Sequence, residues 1–175
     1  MTQVDGPLSF TPLREDDLPL VAVWRGRPHV ARWFHGPLDA AQTREKFLPR
    51  ISGAEPVRVS IVRCAGEPAG YIQEFRVGDM PRVMAALQVD PEARGLDMLI
   101  GDAADTGRGL GTRVVREFSD GLLADARVPL VVIAPDVDNG AAIRCYEKAG
   151  FTAVRQVPST FDDRTNLLME RSRPA

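Results

Sequence analysis

Histidine and cysteine are scarce in this chain, and the scarcity excludes several chemistries. His29 and His35 are the only histidines, and Cys64 and Cys145 the only cysteines, among 175 residues. Neither pair has the spacing of a zinc site, and two distant cysteines are no disulfide framework. A metal centre is therefore not expected. Charge of one sign is also missing: 22 Lys and Arg face 24 Asp and Glu, a net of −2. That leaves no global basic field to attract nucleic acid, and a slight acidic balance too small to argue from alone. No apolar run approaches the roughly 18 residues of a membrane span. The first residues, Met1 to Pro7, lack a charged-then-apolar signal layout. A soluble, cytoplasmic protein without membrane or nucleic-acid partners is the expectation, and the length suits one domain with a real core.

Glycine, by contrast, is concentrated where it can act. Gly107-Arg108-Gly109-Leu110-Gly111-Thr112 precedes an amphipathic run through Val114, Val115, Phe118, Leu122 and Leu123. Alternate glycines let a backbone approach an anion closely, and the helix that follows offers free N–H groups and a positive dipole end. Arg108 adds charge. A turn without ligand fits an isolated pattern of this kind equally well. It is not a P-loop, since no Lys stands beside Thr112, and it lacks the third glycine of the dinucleotide fingerprint.

The periodicity predicts strands over 8–13, 57–62, 69–77, 83–89 (strand or extended), 95–100 and 130–134, and a terminal hairpin of 151–157 with 166–170. Helices are predicted after Asp16 or Asp17 through Trp24, over 38–48 with Asp39 near the cap and Pro49 as the stop, over 112–124, and over 141–149 ended by Gly150. Val30 to Phe34 reads as a short aromatic, helical segment. Strands first, then alternating strands and helices, give a mixed α/β or α+β sheet.

The most specific stretch runs from Asn139 through Ala141-Ala142-Ile143-Arg144-Cys145-Tyr146-Glu147-Lys148-Ala149-Gly150-Phe151. With Arg108-Gly109-Leu110-Gly111 before a helix, it resembles the GCN5-related N-acetyltransferases (GNAT), and within them the aminoglycoside 6′-N-acetyltransferases. Gly66 to Gln73 and Asp90 to Asp97 support the likeness, which covers residues 8 to 170 as one domain. The resemblance implies a mostly antiparallel sheet with two splayed parallel strands and flanking helices, acetyl-CoA as cosubstrate, no metal, and a primary amine as acceptor. It implies that Leu99, Ile100 and Gly101 offer amides to the thioester carbonyl. Gly107, Arg108, Gly109, Leu110, Gly111 and Thr112 would hold the pyrophosphate. Asn139 would bond the cofactor arm or simply cap its helix, and Tyr146 would protonate or orient the leaving thiolate.

Asp97 is the candidate base. It lies in an apolar strand, opposite in direction to Leu96 and Met98, where packing alone does not explain a charge. Binding the cationic substrate, or anchoring a turn or an arginine, are its alternative roles. The acceptor side departs from the family pattern. The resembling enzymes carry acidic and Trp residues where this chain has Arg82 and Met84, and Asp where it has Ala134. Thr106 also replaces a common Gln or Arg. Glu74, Asp79, Asp90, Asp136 and Asp138 are candidates to compensate, and Trp33, with Phe34 and Phe47, to form an apolar wall or core. The expected activity is transfer of acetyl to the 6′-amine of an aminoglycoside, conferring antibiotic resistance. The alternatives are a siderophore-pathway acyltransferase acting on a hydroxylysine-type amine, or a protein that binds CoA or sequesters antibiotic without turnover. Retention of both Asp97 and Tyr146 argues against the last. A monomer and a homodimer are both open.

Overall fold

Seven strands form one sheet in the computed structural model, which describes residues 4–174. They are β1 (Leu8–Pro12), β2 (Arg58–Cys64), β3 (Glu67–Arg76), β4 (Arg94–Ile100), β5 (Val131–Ile133), β6 (Thr152–Pro158) and β7 (Thr165–Arg171). Their order across the sheet is β1-β2-β3-β4-β5-β7-β6. The β1/β2, β2/β3, β5/β7 and β6/β7 pairs are antiparallel, and β4/β5 is parallel. The parallel ladder consists of Arg94↔Val131 and Gly95↔Val132, although β4 runs on to Ile100. This is the mixed, mainly antiparallel sheet with one parallel pair that the sequence implied.

The described residues pack as two compact units: residues 4–74 together with Asp97–Gly111, and Phe75–Leu96 together with residues 112–174. In the first, α1 (Leu18–Gly26) packs on α3 (Ala40–Ser52), and α3 packs on β2. The short α2 (Pro28–Ala31) follows α1, with Pro28 opening it. Val21, Phe47, Ile61, Val62, Tyr71 and Ile72 are fully buried here. In the second, α4 (Pro81–Leu87) and α6 (Gly140–Lys148) pack on β6, and Val77, Leu87, Ala93, Val132, Val157 and Leu168 form a core. Helix α5 spans Leu110–Leu123.

Three boundaries differ from the sequence reading. Residues 83–89 are not a strand: Pro81 opens α4, which places Val83, Met84 and Leu87 against the core. A proline in the first turn loses no helical bond, and Ala85 and Ala86 are strong helix formers, so local propensity overrides two β-branched residues. Pro49 does not stop α3. The helix continues to Ser52 and ends at Gly53, which takes the left-handed conformation at φ 81°. Its N-terminus is as expected: Asp39 accepts from the Gln42 amide at 2.7 Å, and Gln42 Oε1 accepts from the Asp39 amide at 3.0 Å. Finally, α5 begins at Leu110 rather than Thr112, so Gly111 lies inside its first turn.

Candidate active site

In the first unit the chemistry gathers around Asp97, which β4 carries between the buried Leu96, Met98 and Leu99. Its carboxylate Oδ2 accepts a hydrogen bond from Gln73 Nε2 at 3.1 Å. Gln73 Oε1 in turn accepts from Arg50 Nη1 at 2.7 Å. Arg50 grips Glu55 with two bonds, Nε to Oε2 at 3.0 Å and Nη2 to Oε1 at 3.1 Å. Desolvation pushes the Asp97 carboxyl above the usual carboxylate range, although Arg25, Arg50, Lys46 and the Met98 amide pull in the opposite direction. Lys46 is lowered, first by burial and then by Arg50 and Arg25. Tyr71 is pushed up to about 12, chiefly by burial, so its hydroxyl stays protonated.

Arg25 is the unusual member of this group. It is 2 % exposed, donates to Phe34 O at 2.8 Å and to Tyr71 Oη at 3.5 Å, and stacks 5.0 Å from the Phe34 ring. Its Nε is buried without a hydrogen-bond partner. Phe34 and Phe47 both meet Tyr71 edge-on, at 6.5 and 5.5 Å between centroids, so they serve this packed centre rather than an open wall. Trp33 is half-buried under the Arg32 guanidinium, 4.7 Å from its ring.

The end of β4 is pinned by polar contacts. His29 Nε2 bonds Ile100 O at 3.0 Å, and Arg27 donates to Gly101 O at 2.8 Å. The Gly101 amide donates to Ala69 O at 2.8 Å. That corrects one expectation: an N–H engaged in this way does not serve a thioester carbonyl, and Leu99 and Ile100 remain as the candidates. Beyond this point, Gly107 and Gly109 adopt φ 72° and 87°, conformations that side chains rarely take. A Cβ added to either would meet nothing within 4 Å, so the loop leaves open space over its backbone. Arg108 lies 3.6 Å from the buried carboxylate of Asp105, which gives it a partner other than a ligand.

In the second unit, Thr112 bonds Cys145 across α5 and α6, through O at 3.4 Å or Sγ at 3.5 Å. Asn139 Oδ1 accepts from the Ala142 amide at 3.1 Å and so caps α6. Tyr146 is buried and tilted against Phe151, 6.3 Å between ring centroids.

Four of the acidic candidates for substrate binding are engaged within the protein, and the amide of the fifth, Asp138, donates to Asp136 Oδ1 at 2.9 Å. Glu74 is 5 % exposed and paired with Arg58. Asp79 pairs with Arg76 at 2.7 Å, and Asp136 with Arg164 at 3.1 Å. Asp90 accepts from the Glu92 amide at 2.8 Å, the local turn that short acidic side chains favour. Of the four, only Glu74, on β3, belongs to the unit that carries Asp97, and it is the adjacent Gln73 that bonds the Asp97 carboxylate. Sequence reasoning missed Arg25, Lys46, Arg50, Tyr71 and Gln73. Little in the sequence signals Arg25: it follows the apolar run Leu20 to Trp24 in the last turn of α1, an ordinary place for a basic residue. Among the described residues no cluster of His, Cys, Asp and Glu could hold a metal, and no helix is long and apolar enough to cross a membrane.

Comparison with known proteins places this geometry. The family described as "Acetyltransferase (GNAT) domain" matches residues 14–159. The aminoglycoside N(6′)-acetyltransferase type 1 of Klebsiella pneumoniae is 33 % identical over 178 residues, covering 100 % of this chain and 88 % of the relative. The crystal structure of the aminoglycoside acetyltransferase AAC(6′)-Ib with coenzyme A and kanamycin superposes with a TM-score of 0.86, at 32 % identity and 95 % coverage of both chains. The same enzyme with paromomycin and acetyl-CoA gives a TM-score of 0.87 at 32 % identity, covering 97 % of this chain and 94 % of that one.

Proposed function

Because this chain belongs to the GNAT acetyltransferase family, we propose that it acetylates a primary amine of a cationic small molecule, and that the 6′-amine of an aminoglycoside is its acceptor. The supporting observation is the Asp97 carboxylate, desolvated and held by Gln73 in a chain similar over its whole length to a 6′-acetyltransferase. An ammonium must lose a proton before its nitrogen can attack a thioester. Asp97 takes that proton, directly or through water. The amides of Leu99 and Ile100 stabilise negative charge as it develops on the carbonyl oxygen. The Tyr146 hydroxyl delivers a proton to the departing sulfur, and the second proton, shed by the nitrogen as the amide forms, restores the hydroxyl through water. Acetyl-CoA supplies the activated acyl group. The left-handed Gly107 and Gly109, with open space where a Cβ would stand, and the N-terminus of α5 that follows suit its pyrophosphate. Asn139, already a cap, contributes to the arm only through whatever its amide group adds. The acceptor is a dissolved molecule rather than nucleic acid or membrane, and the protein works in the cytoplasm as a monomer or homodimer.

One observation favours a second acceptor. Asp79 and Asp136 are held by arginines, and Arg25, Lys46 and Arg50 stand around Asp97. Fewer free carboxylates suit a smaller, less cationic amine, such as the hydroxylysine type of siderophore assembly. Thiol release measured across aminoglycosides, polyamines and N-hydroxylysine separates the two readings. Turnover with kanamycin, together with a raised inhibitory concentration on expression, supports the first. Release with N-hydroxylysine alone replaces it, and release with none refutes both and leaves a protein that binds without turnover.

The loop has its own test. Gly109→Val forces a β-branched residue to a φ of 87°. Acetyl-CoA affinity, followed by calorimetric titration, should fall at least about tenfold, the loss of one charge-assisted hydrogen bond of about 1.5–3 kcal/mol. Unchanged affinity would show that the pyrophosphate lies elsewhere.

A further inference from the structure

We infer that Gln73 and Arg50 are positioning residues which decide which oxygen of Asp97 takes the acceptor's proton. The inference builds on the reading of Asp97 as base and adds a relay to it. A guanidinium has five N–H donors and no acceptor. Facing Arg50 Nη1 at 2.7 Å, the Gln73 carboxamide must therefore present its oxygen there. Its NH₂ group is then committed to the other side, where it meets Asp97 Oδ2 at 3.1 Å. An NH₂ needs a lone pair, so Oδ2 serves as acceptor, and a proton placed on it would weaken the bond because a carboxylic-acid hydroxyl oxygen is a poorer acceptor than a carboxylate oxygen. The proton goes to Oδ1.

Each link is fixed by the next. Gln73 is 8 % exposed and cannot swing into water. Arg50 is anchored by its two bonds to Glu55. Arg50 reaches this place only because α3 continues past Pro49 into a last turn. Charge alternates along the row: Glu55 negative, Arg50 positive, Gln73 a dipole aligned by Arg50, Asp97 negative. The other groups that bear on Asp97 are Arg25 from α1, Lys46 from α3, Tyr71 from β3 and the Met98 amide on its own strand. Arg25 and Lys46 bring charge without a hydrogen bond to Gln73, so they leave the carboxamide's orientation to Arg50.

A double-mutant cycle on the full chain tests the relay, using Gln73→Met, Arg50→Met and the pair of them, with Arg50→Lys as the conservative variant. Two readouts follow Asp97: the acid limb of kcat/KM for the acceptor against pH, and the ¹³C shift of the Asp97 carboxyl, assigned by its loss in Asp97→Asn. Gln73→Met should move the titration upward by about one pH unit, a tenfold change in proton affinity. Arg50→Met should move it comparably, but by less than half as much when Gln73 is already Met, because most of its influence passes through that side chain. Arg50→Lys, again a pure donor, should stay close to the parent. The KM for acetyl-CoA should not change in any of them. Additive shifts, or a titration that ignores Gln73, would overturn the relay. The ¹³C titration needs no turnover, so the relay stands or falls separately from the catalytic reading, which an active Asp97→Asn would refute.

Discussion

Asp97→Asn should reduce CoA release with any amine acceptor by about 10²–10⁴-fold, the usual contribution of a positioned general base. The variant is chosen for what it leaves alone. Asn has nearly the shape of Asp, and its carbonyl oxygen can still accept from Gln73 Nε2, the bond seen at 3.1 Å. Acetyl-CoA affinity should therefore match the parent. Stability should hold as well, and the sign of the titration says why. The Asp97 carboxyl titrates above its ordinary range, with desolvation the largest cause. A raised folded-state pKa favours the protonated form. That contribution is fully present below the unfolded pKa and is lost as pH rises through the folded one. At neutral pH the parent already bears the burden of an ionised, desolvated carboxylate, and Asn removes it. The thermal midpoint at pH 7 should therefore not fall, whereas turnover should. The same shift predicts that kcat/KM of the parent rises with pH through an acid limb lying above the ordinary carboxylate range, and that this limb vanishes in Asp97→Asn. A variant retaining more than about a tenth of the parental rate would remove Asp97 from the role of base and leave it as a substrate anchor.

The sequence carried the ingredients of the site unevenly, for physical reasons. Asp97 was legible because a charge in an apolar strand violates the local rule, and local rules fail where function requires it. Asn139 and the glycine loop were legible because caps and left-handed turns have few permitted residues. The relay was not, because it depends on tertiary register. Gln73 faces Asp97 only once β3 lies beside β4, and Arg50 arrives only if α3 survives Pro49. A proline near a helix C-terminus forfeits one backbone bond, and the packing of α3 on α1 and β2 outweighs that. Segment 83–89 misled for the reverse reason: Val83 and Val89 have strand propensity, but Pro81 and the core-facing Leu87 impose helical spacing. The substrate side was the least legible. Carboxylates counted in a sequence are potential contacts for a polycation, yet pairing to Arg58, Arg76 and Arg164 already occupies three of them. Whether an amine can displace such a pair depends on desolvation, which composition does not reveal.

Gly70→Ala should both destabilise the fold and disable the site, and the cause is steric. A Cβ built on Gly70 would lie 2.1 Å from Leu99 O, 3.1 Å from Leu99 C and 3.2 Å from Ile100 Cα. All three are backbone atoms, so no side-chain rotation relieves the overlap; β4 itself must retreat. At this point β4 is tied by the Gly101 amide to Ala69 O, by His29 to Ile100 O and by Arg27 to Gly101 O. A shift large enough to admit a methyl group strains all of these bonds at once. Overpacking of this kind costs about 1–3 kcal/mol, and more where nothing can yield, so about 3 kcal/mol is expected from urea unfolding. The control is Gly26→Ala at the end of α1, where an added Cβ meets nothing within 4 Å; it should be neutral or slightly stabilising. Activity separates displacement from mere instability. Assayed well below its unfolding midpoint, Gly70→Ala should remain at least about a hundredfold slower than the parent, because the amides of Leu99 and Ile100 move with the strand, and removing one such donor alone costs about 10²–10³. Recovery of full activity once the protein is stabilised would mean that those two amides do not face the thioester, and that another part of the chain polarises it.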